Sequence, residues 1–272
     1  MTIPKHQKII FYILLIICSL LFFAPIAIAV MMSFMSTNEI MTGQILPSQL
    51  NLDNYTRAFE LFPLAHFMLN SFIVSITITI GQVITSSLAA YAFVFLKFKG
   101  RNLLFLLVIG TMMIPWEATI IPNFHTIRDL GWVNDFRSLT VPFFAVAFGT
   151  FLLRQNFKQI PLELKEASEV AGVGNFKFYL TVALPMARSS LITLGAWGFL
   201  TSWNMYLWPL LTTTNDDVRT VQIGLRQLQA GEQLNDWGMV MAGAIMVVIP
   251  TLLILFIGQK HLQKGLTEGA IK

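Results

Sequence analysis

Charged side chains are scarce in this sequence. Lysine, arginine, aspartate and glutamate make up 12% of its 272 residues, about half the share usual in a soluble domain, so most of the chain has to face lipid or other apolar helices. Cysteine is almost absent, and the single Cys18 excludes an internal disulfide and a thiolate metal cluster. The four histidines, His6, His66, His125 and His261, are scattered without the spacing of metal ligands. No Gly-x-x-x-x-Gly-Lys-Ser/Thr run is present to cradle nucleotide phosphates, and no Gly-x-Ser-x-Gly turn to present a nucleophilic serine. ATP hydrolysis by the chain itself is therefore not expected, and no catalytic residue or bound cofactor is assigned to it.

What is abundant is apolar surface, at 55% of residues. Six stretches have the length and hydropathy to cross a bilayer: Ile9–Phe34, Phe67–Leu96, Leu103–Phe124, Leu139–Leu153, Ser189–Leu211 and Trp237–Gly258. Each is expected to be a helix, since backbone groups without access to water must pair within their own segment. The reading is an all-α, multi-pass membrane protein forming one transmembrane domain over residues 1–272. Thirteen lysines and arginines fall on one side of the six spans and five on the other. The basic side reads as cytoplasmic, which places both termini there. The net charge of +4 is spread over these short segments, so nucleic acid is not an expected partner. Lys5 and Lys8 before an apolar run ending near Ala27-Ile28-Ala29 also resemble a secretory signal. The run outlasts the roughly 7–15 residues of a signal core, so an uncleaved helix is expected.

The longest cytoplasmic connection, residues 154–188, carries the most specific pattern. Pro161 suits a first helical position, Leu162–Ala171 are mostly good helix formers, and Gly172-Val173-Gly174 breaks the chain before a second helix runs from Asn175 towards Pro185. Ala167 and Ala171 are four apart with Ser168 beside them, giving a face of little bulk that could enter a groove. Glu163, Glu166 and Glu169 surround a single Lys165, a charge pattern that an anionic membrane surface would repel. A cytoplasmic protein partner fits better than the bilayer surface.

The stretch Glu166-Ala167-Ser168-Glu169-Val170-Ala171-Gly172, closed by Leu184-Pro185, resembles the EAA loop of permeases from binding-protein-dependent ABC importers. Ser168 and Val173 stand where the pattern has alanines, and Ala171 where it has aspartate. The resemblance implies a coupling helix that seats Glu166, Ala167, Ser168 and Gly172, with Leu184 and Pro185, against an ATPase subunit; the contact of the replaced aspartate is the one put in question. Asn51-Leu52-Asp53-Asn54-Tyr55, Met113-Ile114-Pro115, Phe151-Leu152-Leu153-Arg154-Gln155 and Tyr206-Leu207-Trp208-Pro209-Leu210 are similar to carbohydrate-type permeases of the maltose-transporter kind, in particular their second permease subunit. Membership of that family would imply residence in the bacterial inner membrane. It would also imply a second related permease, two ATPase subunits that bind the ATP and magnesium, and an extracytoplasmic solute-binding protein.

Four residues are candidates for a solute path. Glu117 is an ionisable group beside Trp116, either lining the path or solvated at the outer interface. Trp203, Asn204 and Tyr206 combine aromatic faces with hydrogen bonding, as sugar contact requires, although aromatics at helix ends also anchor interfaces and Asn204 could bond a neighbouring helix. The pairs Gly238 with Ala242 and Ala145 with Gly149 are expected to permit close helix packing. No lysine or arginine lies inside the six spans, which favours a neutral sugar, whereas Trp203–Leu211 and Thr220-Val221-Gln222-Ile223-Gly224-Leu225 also resemble the glycerol-3-phosphate branch. A non-carbohydrate solute, or a membrane receptor or enzyme using the loop for interaction, are the alternatives. The loop Asp216–Asp236 is a candidate contact for the binding protein.

Overall fold

The computed structural model describes residues 4–61, 63–230 and 236–267, and every regular element among them is helical. In chain order these are α1 (Lys5–Met32), α2 (Thr37–Met41), α3 (Asp53–Leu61), α4 (Leu64–Phe95), α5 (Arg101–Gly110), α6 (Trp116–Asp129), α7 (Phe136–Thr140) and α8 (Ala147–Phe157). There follow α9 (Leu162–Val170), α10 (Asn175–Phe178), α11 (Leu184–Met186), α12 (Arg188–Trp203), α13 (Leu207–Thr212), α14 (Val221–Ala230) and α15 (Trp237–Thr267). Two compact units emerge, one containing residues up to Ala65 with Gly224–Ile249, the other His66–Ile223 with residues from Pro250 onward.

Among the described residues three helices are continuous and apolar enough to cross a membrane: Gln7–Met32, Leu64–Phe95 and Trp237–Gln259. The third expected span is not one helix. It divides into α5, extended by a 3₁₀ turn over Thr111–Met113, and α6, which meet at a bend of 100°. The cause is Pro115, which disfavours helical backbone at the residue before it, and Ile114 is extended at φ −88° and ψ 116°. The fourth span is broken as well, by 41°, where Pro142 lies in a 3₁₀ turn and Val146 is extended. The expected span at Ser189–Leu211 is α12, of 16 residues, interrupted at Asn204 before α13. At about 1.5 Å per residue α12 alone is shorter than a roughly 30 Å hydrocarbon core.

Broken helices in a membrane protein leave backbone carbonyls that water cannot reach, and these must be paired by protein. α4 supplies the donors. Gln82 Nε2 donates to the Phe143 carbonyl at 3.0 Å, Thr85 Oγ1 to Phe144 at 2.5 Å and Ser86 Oγ to Val146 at 3.4 Å, all within the break that precedes α8. Near the start of α4, Asn70 Nδ2 donates to the carbonyls of Asp217 and Arg219, and Ser71 Oγ accepts the Val221 N–H. Ser71, Ser75, Thr79, Gln82 and Ser86 recur at helical spacing, so the pairing groups Ser71, Gln82 and Ser86 lie on one polar face. Small residues let the neighbours close in. A Cβ on Gly149 would stand 2.4 Å from Ser86 Oγ, and one on Gly198 would stand 2.6 Å from Gln82 Oε1. The close packing expected at Gly149 is thus present.

In the other unit, the end of α1 is held by α3. Asn54 Nδ2 donates to the carbonyls of Ser33 and Met35 at 3.0 and 2.8 Å, and Ser33 Oγ lies 2.7 Å from the Tyr55 hydroxyl. A Cβ on Gly238 would meet Met35 O at 2.5 Å, so the close packing expected there is present too. Asp236, nearly buried, accepts the Met239 N–H at the start of α15 and pairs with Arg57 at 2.6 Å.

Candidate functional site: the loop between α8 and α12

The segment from α9 to α11 rests on a core of Ala90 and Tyr91 from α4, Leu153 and Phe157 from α8, Phe178, Ala183 and Leu194. The Tyr91 hydroxyl donates to the Asn175 carbonyl at 2.9 Å, and Ser87 Oγ lies 2.7 Å from the Tyr179 hydroxyl. These bonds tie α10 to the end of α4. Between α10 and α11 the chain makes a π turn over Tyr179–Ala183. Pro185 explains it: its ring would collide with the carbonyl four residues back and it has no N–H to donate, so the helix widens by one residue there. Leu184 is half-buried against the core and Pro185 is exposed.

α9 begins at Leu162 with Pro161 as its cap, one residue later than the sequence suggested. Its end is a Schellman motif: the Val173 N–H bonds Ser168 O at 2.8 Å and the Gly172 N–H bonds Glu169 O at 3.0 Å, with Gly172 at φ +71°. A β-carbon is disfavoured in that left-handed conformation, which is why glycine ends the helix. Ala171, where the family pattern has aspartate, is the exposed residue just before the turn.

Sequence reasoning missed the role of Lys165. It is 4% exposed, pairs with Glu169 Oε1 at 2.8 Å and lies 5.2 Å from the centre of the Phe178 ring. The hydrogen bond from Lys165, then its charge and more weakly that of Lys97, hold the Glu169 carboxyl below the usual range. Lys165 therefore fastens α9 inward by its stem and head together. Ser168 also turns away from solvent, its Oγ donating to Lys165 O at 2.7 Å, so it does not share the open face with Ala167 and Ala171. That open face consists of Glu163, Glu166, Ala167, Val170, Ala171 and Gly172, with Phe176 beyond it. Val170 is 92% exposed, an apolar side chain with no cover of its own. The missed signal was the single lysine among three glutamates, four residues before Glu169.

The path candidates are placed less uniformly. Trp203 is 2% exposed and stacks on Phe199 at 5.7 Å, so it packs inside the chain. Asn204 is exposed and caps α12, its Nδ2 donating to Leu200 O at 2.8 Å. Tyr206 is half-buried at the start of α13. Glu117 is exposed in the first turn of α6, where the free N–H groups favour a carboxylate. Trp208 fills the place between them: buried, it donates Nε1 to Ser138 O at 2.8 Å and meets Trp116 at 5.7 Å. Of the loop Asp216–Asp236, residues 231–235 lie outside the described residues.

The described residues, all helical in their regular elements, combine apolar spans, a broken helix paired by polar side chains of α4 and an exposed helix fixed to a packed core, the build of a multi-pass membrane protein. Residues 82–268 match the family of binding-protein-dependent transport system inner membrane components, and the chain belongs to it. It is 34% identical over 271 residues to the sn-glycerol-3-phosphate transport system permease protein UgpE of Agrobacterium fabrum, with 96% of each chain covered. It is 34% identical over 272 residues to UgpE of Brucella abortus, at the same coverage of both chains. Among solved structures it resembles a chain of a bacterial ABC transporter involved in the import of the acidic polysaccharide alginate, at a TM-score of 0.87 and 22% identity, covering 96% of this chain and 99% of that one. A bacterial alginate ABC transporter in complex with an alginate pentasaccharide-bound periplasmic protein gives a TM-score of 0.65 at 15% identity, covering 93% of each. These two likenesses support the fold.

Proposed function

We propose that this chain is one permease of an ATP-driven importer that carries a carbohydrate, in the broad sense of a sugar, oligosaccharide or glycerol phosphate, into the cytoplasm. The relatives named for glycerol-3-phosphate support the solute class. The chain would form a single transmembrane domain over residues 1–272 and cross six times, three times by continuous helices and three times by interrupted ones. Both ends would be cytoplasmic, as the excess of basic residues on one side supports. A second, related permease, two ATPase subunits that bind ATP and magnesium, and an extracytoplasmic solute-binding protein complete the assembly.

The observation that carries the mechanism is the exposed face of α9 on a helix whose other face is locked by Lys165. Closure of the ATPases on ATP would push Glu166, Ala167 and Val170. Because Ser87, Tyr91 and Tyr179 join this segment to α4, the push would reach the helix that pairs the broken spans. The permeases would then exchange inward-facing for outward-facing states, and the solute would pass between them. Asn204 and Tyr206, at the break after α12, are the better placed of the path candidates, while Trp203 and Glu117 would shape the path indirectly.

Cells with and without the chain, offered labelled maltooligosaccharides, other small oligosaccharides and glycerol-3-phosphate, test this reading. Loss of uptake of one solute identifies it; undiminished uptake of all three moves the solute outside this group. Replacing Gly172 by valine forces a β-branched residue into a left-handed conformation at a cost of about 1–2 kcal/mol and widens the face that docks. Uptake should be abolished with the protein still in the membrane, and Gly172→Asn, which tolerates that conformation, should retain more. Normal uptake in the valine variant would remove the coupling role.

A further inference from the structure

A second basic group lies beside the loop and has no role in the mechanism above. Between α4 and α5 the chain turns sharply through Lys97-Phe98-Lys99-Gly100, and Lys97, Phe98, Gly100, Arg101, Asn102 and Leu103 line a cavity of about 370 Å³. Arg101 spends one guanidinium nitrogen on the carbonyls that end α4, Val94 and Leu96, at 3.4 and 3.2 Å. Arg154 lies with its guanidinium 3.8 Å from the centre of the Phe105 ring, and its Nε is buried with no hydrogen-bond partner. Arg101 repels it. None of Lys97, Lys99, Arg101 and Arg154 forms an ion pair with an acidic side chain among the described residues. Lys97 and Arg101 thus line one cavity without an ion pair of their own, Arg154 stands near enough to Arg101 to be repelled by it, and one buried donor of Arg154 is unspent.

We propose that this elbow binds the phosphate of an anionic phospholipid, held by Lys97 and Arg101, with Lys99 on the same turn and Arg154 beside Arg101 adding positive charge. Cavities lined by basic residues on the cytoplasmic side of membrane helices suit such headgroups, and guanidinium groups suit phosphate. The surroundings select a lipid over a free anion. α5 buries none of its residues, and Leu103, Leu106 and Leu107 are 62%, 65% and 59% exposed directly below the turn, a surface for acyl chains. The free N–H groups at the start of α5 point toward the same turn and add to the positive potential. The charge of Lys97 also reaches Glu169, so the headgroup would sit next to the lock that fixes α9. The side of the membrane rests on the orientation proposed above; the cavity and its cations do not.

The test is lipid retention by the purified complex of this chain with its partner subunits, read by native mass spectrometry from a mixture of phosphatidylglycerol and phosphatidylcholine with the same acyl chains. The wild type should retain phosphatidylglycerol preferentially. Arg101→Gln should cut that preference about fivefold and the pair Lys97→Gln with Arg101→Gln further. Should the arginine variants fail to fold, Lys97→Gln and Lys99→Gln, on the exposed turn, carry the same comparison. Lys158→Gln, an exposed cation outside the elbow, should leave the preference unchanged. The proposal falls if the wild type shows no preference, if Lys158→Gln lowers it equally, or if the double variant keeps it. It also falls if inorganic phosphate alone displaces the lipid, since the site would then take a free anion, or if the variants shed ATPase subunits with lipid retention intact. Solute uptake does not enter this readout, so the coupling reading and this one fail separately.

Discussion

α1 and α4 are the two helices at which this chain is most plainly a membrane protein, and they are built on opposite terms. α1 contributes a span of 26 residues with mean hydropathy 2.9, none of it buried within the chain; α4 contributes 32 residues at only 1.8, with 39% buried. The less hydrophobic helix is the better packed one. Its hydropathy falls because Asn70, Ser71, Gln82 and Ser86 spend their polar groups on backbone that broken or irregular neighbours leave unpaired. α1 has no broken neighbour to serve and can be leucine, isoleucine and phenylalanine throughout. Between these two helices, the lower hydropathy marks the one whose side chains pair its neighbours' backbone.

The strongest way to break this contrast is to fill the seam of α4. Gly149→Leu would drive a side chain into Ser86 Oγ, 2.4 Å from the new Cβ, and into Leu194 at 2.9 Å. Overpacking of this kind costs about 3 kcal/mol. The detergent-purified protein should lose most of its folded fraction or melt many degrees lower by fluorescence-detected size exclusion; a wild-type melting curve would mean that α8 does not press on α4. Gln82→Leu is the milder form. It keeps shape and removes the bond to Phe143 O, so its expected effect is about 1 kcal/mol, the scale of side-chain hydrogen bonds within membrane helices. Gln82→Glu, which keeps an acceptor but loses the donor, should be no better than leucine.

This contrast was half legible in the sequence. Among the described residues three of the six expected runs coincide with continuous spanning helices and two more with bent helix pairs, because length and hydropathy suffice for that. The breaks were not legible, although their causes, Pro115, Pro142 and Asn204, are plain letters: a proline in a membrane helix either kinks it or is absorbed, and what decides is whether a neighbour can pair the freed carbonyls. For the break before α8 those neighbours are Gln82, Thr85 and Ser86, part of a polar stripe on α4 whose helical spacing is visible in the sequence. The loop was read more completely. Glu166, Ala167, Gly172, Leu184 and Pro185 were singled out by the resemblance to the EAA loop, and Gly172 has the left-handed backbone that a helix-ending glycine suggests. Ser168 and Lys165 went astray because burial on a short helix is set by what lies beneath it, here Phe178, and no local pattern shows that.

The unit containing α1 also pairs backbone groups by side chains, but on its exposed side, and this difference should show as pH dependence. Glu39 accepts the N–H groups of Ser36 and Ser48 at 2.8 and 2.9 Å, ordering the turn after α1. The Ser36 backbone bond foremost, then the contacts with Ser48, hold its pKa at about 2 instead of 4.5. A carboxyl with a lowered folded pKa stabilises above the unfolded value and loses that contribution as pH falls towards the folded one. The protection of residues 36–50 against hydrogen exchange, taken relative to the intrinsic rate at each pH, should thus be high at pH 5 and fall between about pH 4.5 and 2, and Glu39→Gln should be poorly protected throughout. The bonds of Gln82 carry no charge and should not respond over that range.

The smallest effect is expected where hydropathy is highest. Leu21 in α1 is 69% exposed, so Leu21→Ala removes no packing within the chain and leaves a helix long enough to span. Neither a cavity nor an unpaired group is created, the two mechanisms by which a leucine-to-alanine change becomes costly. Its effect on the melting of the isolated chain should stay below about 0.5 kcal/mol, as for substitutions outside packed sites. The same change at Leu153, which is 0% exposed among Tyr91, Phe157 and Phe178, should cost about 2–5 kcal/mol. Comparable losses at the two leucines would mean that α1 is packed after all, and that hydropathy and burial are not opposed in this chain.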